Sequence, residues 1–336
     1  MTGRMAVAIL SLAGMLLAVP PAVHGEEMPG TGHIDYFGYS DCILLENEHA
    51  RVILAEHGGR VLEYSWKKLN AIYLDPEHAG WVYDPDKPVI DPSGGRSDIG
   101  PEMVIPSHVD LWAGRWHAEI IGPRAARLTS VDDEATGTRL VREFVLDEST
   151  SHLAFTQTIH NISEVETEWC HWGRTFALGR GICVIPLGEH FNRFPNKYLV
   201  YGPGPVMNYA PEDPNIRVRD GYLEIIDTPI EPMIAIDSYA VWFSYLMTND
   251  LMFVKRFPTY PDRMYNDMAA FTVVMWYFKD LLCELEPIGP KERLAPGQSA
   301  SFTEDWWLLP YTFPDTRTEV DLANVAAVVS QGAVGD

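Results

Sequence analysis

Glu284 and Glu286 stand two residues apart in Leu281-Leu282-Cys283-Glu284-Leu285-Glu286, a run in which acidic and apolar residues alternate. Read as a strand, it puts Leu282, Glu284 and Glu286 on one face and Leu281, Cys283 and Leu285 on the other. Two carboxylates sharing a face repel, and burying them lifts one pKa towards the range a general base uses. A solvated outer face has the same pattern. His171 is the second candidate. It lies in Glu168–Leu178, where Trp169, His171, Gly173 and Thr175 share one face and Cys170, Trp172, Arg174 and Phe176 the other. Gly173 leaves space beside the imidazole, as a ligand requires, although a lone histidine in a strand is more often structural. Arg96 follows Ser93-Gly94-Gly95, where the backbone can bend close to a ligand and the guanidinium offers a forked donor. An ordinary turn has the same look. Glu304, on the mostly apolar face Ala300, Phe302, Glu304, Trp306, Leu308, reads as buried and paired, structurally or catalytically.

Other chemistries lack their motifs. There is no GxSxG, P-loop, HExxH or helix-opening GxGxxG. Cys42, Cys170, Cys183 and Cys283 are widely spaced with no CxxC, which gives no support for zinc. Buried thiols and one or two disulfides are equal alternatives for them. Asn161-Ile162-Ser163 matches a glycosylation acceptor, a pattern common by chance. The chain carries 47 acidic against 25 basic residues, net −22, which argues against nucleic acid and anionic membrane surfaces as partners.

The elements that must position these residues read as strands. Short alternating or apolar runs, from Cys42–Leu45 and Arg60–Trp66 to Thr272–Phe278 and Ser299–Leu308, are punctuated by Gly, Pro, Asn and Asp. Thr248-Asn249-Asp250 and Lys279-Asp280 read as tight hairpins. No sustained helical period precedes residue 318. Val320–Val329 reads as a terminal helix or a frayed tail. A dozen or more antiparallel strands in 336 residues must curl or pack as two sheets, so the expectation is all-β: one large antiparallel β-sandwich, residues 26–317, with residues 318–336 as a tail. Residues 1–25 read as a signal peptide: Arg4, an apolar stretch Met5–Val19, a break at Pro20-Pro21 and a cut after Gly25. The expected location is secreted or periplasmic, with no membrane association after cleavage; an uncleaved anchor is the alternative.

Several segments together resemble galactose mutarotase-like (aldose 1-epimerase) proteins. Cys42–Trp66, with His57-Gly58-Gly59-Arg60, resembles their opening strands, and Thr156–Ser163 a strand end. Trp169–Phe176 falls where mutarotases carry an acid histidine, Cys283–Pro287 where they carry a base glutamate, and Leu294–Ser299 resembles the closing strand entry. The Gly-Gly-Arg loop and Glu284–Pro290 are closest to an often secreted branch of that superfamily. The resemblance implies the large sandwich and a carbohydrate partner, with no metal or cofactor. It implies anomer interconversion: Glu284 or Glu286 as base, His171 as acid, with Arg96, His108, Trp172 and Arg174 holding the sugar. His171 and the glutamates should then converge on one concave pocket with Arg96 at its rim. Alternatives on the same sandwich are a polysaccharide lyase, with Arg96 or Arg174 neutralising a uronate, and a sugar-binding protein using some of the ten tryptophans.

Overall fold

The computed structural model describes residues 28–189, 196–203, 206–266 and 270–332; the leader and its cleavage point lie outside them. Two antiparallel sheets, of thirteen and ten strands, pack face to face. The expected β-sandwich is what forms. In the front sheet, Arg60–Trp66, Gly95–Gly100, Thr167–Leu178, Leu282–Pro287, Val273–Phe278, Met233–Ile236 and Tyr198–Tyr201 lie side by side. The back sheet runs from Ile216–Arg219 through Ile182–Pro186, Trp242–Met247, Leu251–Arg256, Ser299–Pro310 and Leu153–Asn161 to His117–Gly122. Both expected hairpins form, with Asp250 at φ 61° and Lys279 at φ 53° in their turns.

The core lies between the sheets and includes Val61, Tyr64, Ile99, Phe144, Phe155, Phe253, Leu285 and Trp306. Strands at the margin of the back sheet alternate between buried and half-buried positions, as in Thr138–Leu146 and Leu153–Asn161. The central front strands behave differently: all six residues of Gly95–Gly100 and of Leu282–Pro287 are buried. Their second face is covered by segments carrying Asp91, His108, Trp112, Tyr265 and Phe271. The helix Leu322–Gly332 covers the outer face of the back sheet, burying Leu322, Val325 and Val329 with Val184, Val254 and Trp307. Asp321 starts it by accepting a hydrogen bond from the Asn324 backbone N–H at 3.0 Å.

Gly95–Gly100 is a strand where the sequence suggested only a loop delivering Arg96. Gly94, at φ 128°, makes the turn, and Gly95 already packs in the core, where an added Cβ would touch Thr175, Trp306 and Val61.

Candidate functional site

Register decides which side chains meet. Trp172 lies opposite Asp98, Arg174 opposite Arg96, and Phe176 opposite Glu284, which in turn lies opposite Trp276. Residues opposite one another in an antiparallel ladder share a face. Arg96, Asp98, Trp172, Arg174, Glu284, Glu286 and Trp276 therefore all lie on the outer face of the front sheet, away from the core. The opposite set, Ser97, Ile99, His171, Gly173, Thr175 and Leu285, faces the back sheet.

This overturns the expected convergence. His171 is fully buried between the sheets, stacked on Phe302 of the back sheet with ring centroids 5.6 Å apart. Neither ring nitrogen has a hydrogen bond of normal geometry, although backbone groups of Gln157 and Ala300 lie close enough to favour the charged form slightly. Burial dominates and pulls its pKa down to about 4. A side chain on the far side of the sheet from both glutamates cannot share a substrate with them. The space that Gly173 was expected to leave for a ligand is filled as well. A Cβ there would collide with Glu304 Oε1 and lie 2.8 Å from Pro287 Cδ. Glu304 takes that space because its Oε2 is held by Lys255 Nζ at 2.8 Å and by the Trp306 indole N–H at 2.9 Å. Lys255 also donates to Thr175 Oγ1 and the Leu285 carbonyl. The group is a fully partnered ion pair in the core.

On the outer face the predicted Arg96, Trp172, Arg174, Glu284 and Glu286 do come together. Arg174 holds Glu284, Nε to Oε1 2.7 Å, and its guanidinium stacks 4.7 Å from the Trp172 ring centroid. The Trp172 indole N–H donates to Glu286 Oε2. Burial raises the Glu286 pKa well above the usual carboxylate range; the charge of Glu284 adds to this, and Arg174 and Trp172 only partly offset it. Glu286 is thus the member of the pair whose proton is held more firmly, the behaviour expected when burial and a like charge act together.

His108 lies in this layer too, but both ring nitrogens are engaged: Nε2 with Asp98 Oδ1 at 3.1 Å and Nδ1 with the Pro106 carbonyl at 2.8 Å. Burial works against its charged form, yet the Asp98 hydrogen bond and charge outweigh it and raise the pKa. His108 is a clamp on Asp98, not the free sugar-binding histidine expected of it.

Three participants escaped the sequence reading. Asp98 was legible had Gly95–Gly100 been read as a strand, since it stands two after Arg96. Asp91 was not singled out within its irregular proline-rich segment; its carboxylate bridges Arg96 Nη1 at 2.7 Å and Arg174 Nη2 at 3.3 Å. Trp276 shares the outer face with Glu284, is partly exposed, and stacks on Phe278 at 5.5 Å. Among the described residues no group of three His, Cys, Asp or Glu side chains is arranged to hold a metal ion.

No protein-family model and no curated protein sequence matches the chain. Solved structures do. A galactose mutarotase-like protein from Lactobacillus casei superposes with a TM-score of 0.56 at 12% identity, covering 80% of this chain and 100% of that one. One from Clostridium acetobutylicum gives a TM-score of 0.55 at 11% identity, over 84% and 99% of the two chains. The fold is that of the galactose mutarotase-like proteins. A protein from Synechocystis sp. PCC 6803 is similar as well, with a TM-score of 0.57 at 17% identity over 83% and 99%. On this mutarotase-like sandwich the ionic row occupies the outer face of the central front strands. Its members open to solvent are few: Asp91 with its side chain 43% exposed, Arg174 at 18%, and Trp276 beside them.

Proposed function

We propose that the outer face of the front sheet is a carbohydrate-binding site and that the protein is a carbohydrate-active member of this fold. One observation carries the reading. A partly exposed aromatic face, Trp276, lies directly across the strand from an oriented carboxylate–guanidinium pair, Glu284 and Arg174. That combination suits a sugar, whose C–H face stacks on an indole while its hydroxyls both donate and accept. Trp172 contributes from beneath, by stacking Arg174 and fixing Glu286, rather than as the stacking platform.

Turnover is the second reading, and the two carboxylates on one strand face, with burial raising the pKa of Glu286, favour it. That reaction requires the two carboxylates, 1–2% exposed, to become accessible to the sugar; Glu286 would then give its proton to the ring oxygen while Glu284 takes the proton of the anomeric hydroxyl. The ring opens, C1 turns, and closure returns both protons. Export from the cytoplasm, suggested by residues 1–25, belongs to the same reading: a sugar met outside the cytoplasm.

The test is a ligand-observed NMR titration with neutral hexoses and their oligosaccharides, with anomer exchange measured in the same samples. Binding in the millimolar range or tighter is expected. Trp276→Ala should weaken it roughly tenfold, the loss of about 1–2 kcal/mol of stacking. If no sugar of the set binds, the reading falls. Glu286→Gln should keep binding and abolish any acceleration of anomer exchange; a wild-type protein that binds without accelerating exchange has no epimerase activity.

A further inference from the structure

The second carboxylate held by Arg174 belongs to Asp91, and its setting differs from that of the other acidic groups. Glu284, Glu286 and Asp98 project from strands and are at most 4% exposed, whereas Asp91 sits in residues 88–92, which belong to no strand or helix, and is 43% exposed. It places one oxygen on each of two guanidiniums, Oδ1 on Arg96 and Oδ2 on Arg174. Each arginine is pre-positioned by an indole: Arg96 lies 5.5 Å from the Trp112 centroid and Arg174 4.7 Å from that of Trp172. Arg96 is 2% exposed and its Nε has no hydrogen-bond partner, so the donors held there exceed the acceptors the chain supplies. A buried guanidinium N–H without an acceptor is costly to maintain.

We infer that Asp91 occupies the place of a ligand carboxylate, and that the preferred carbohydrate is an acidic sugar carrying one, a uronate or aldonate class ligand. This rests on the carbohydrate reading above and narrows it. Two guanidiniums carried on adjacent strands form a fork for a planar carboxylate. The charge count limits the ligand. Arg96 and Arg174 are balanced by Asp91 and Glu284, and Asp98 is held by His108. Moving Asp91 aside leaves room for a single negative charge. A phosphate dianion would bring a second one next to Glu284 and Asp98. A uronate bound through its carboxylate at Arg96 and Arg174 would lay its ring towards Glu284 and Trp276.

The experiment compares binding of galacturonate and glucuronate with galactose, glucose and their 6-phosphates, in wild type and in Asp91→Asn. The uronates should bind roughly tenfold more tightly than the matching neutral sugars. Asp91→Asn removes the internal competitor, so the preference for a uronate over the matching neutral sugar should rise by about a further tenfold. The wild-type comparison stands even where the variant does not fold. Neutral sugars binding as well as uronates would overturn the inference and leave the carbohydrate site intact. Tighter binding of the 6-phosphates would overturn the carboxylate assignment. Binding of none of these sugars would overturn the inference and the reading on which it rests.

Discussion

At the residue scale the environment of His171 sets a stability slope. His171 is neutral in the folded chain because burial drives its pKa from 6.5 to about 4. Below pH 6.5 the unfolded chain takes up a proton that the folded chain refuses until about pH 4, so stability falls as pH falls through that window, by about 3 kcal/mol. Glu286 works in the opposite sense: its raised pKa makes the folded state lose ground as pH rises above the usual carboxylate range. Denaturant unfolding at pH 7 and pH 4.5 should show the acid loss in wild type and little of it in His171→Phe, which keeps the stack on Phe302. An unchanged slope in the variant would assign the loss to other groups. Gly173→Ala should be among the most damaging small substitutions, since the methyl collides with Glu304 and pries it from Lys255. Breaking such a buried pair costs about 3–5 kcal/mol, and urea unfolding would measure it.

At the scale of elements, the helix Leu322–Gly332 closes the outer face of the back sheet. A chain ending at residue 318 uncovers Trp307, Val184 and Val254 together. Its Tm should drop by roughly 5 °C or more, read by calorimetry; an unchanged Tm would show that the apolar contact contributes nothing. The same scale explains what the sequence made legible. Alternation correctly grouped Trp172 with Arg174 and Glu284 with Glu286, because a period of two survives any packing. It could not say which group faces the core. A half-exposed strand answers that by contrast between apolar and polar faces, as Leu153–Asn161 does. Thr167–Leu178 and Leu282–Pro287 are covered on both sides, so a histidine and a glycine went into the core while arginine and glutamate faced outwards under a covering layer. Asp91 and Trp276 were illegible for a related reason: their importance comes from cross-strand and loop neighbours far away in the chain.

At the scale of the whole molecule the interior is closed to reagents. All four cysteines are free and no more than 2% exposed, two of them, Cys183 and Cys283, on strands of opposite sheets. A thiol-specific chromogenic disulfide should therefore label none of them in the native protein and all four in denaturant. Fast labelling of a native thiol would mean that the two sheets part readily.

The central strand Thr167–Leu178 pairs on one side with Gly95–Gly100, made earlier, and on the other with Leu282–Pro287, made later. Arg174 meets Glu284, 110 positions further along the chain. At the pace of a ribosome, about 5–20 residues per second, that strand waits on the order of ten seconds with one edge unpaired. An unpaired edge is a template for the wrong neighbour. The nascent chain is thus most exposed to aggregation midway through synthesis, and a holding chaperone that shields this edge should raise the soluble yield without altering the stability of the finished protein.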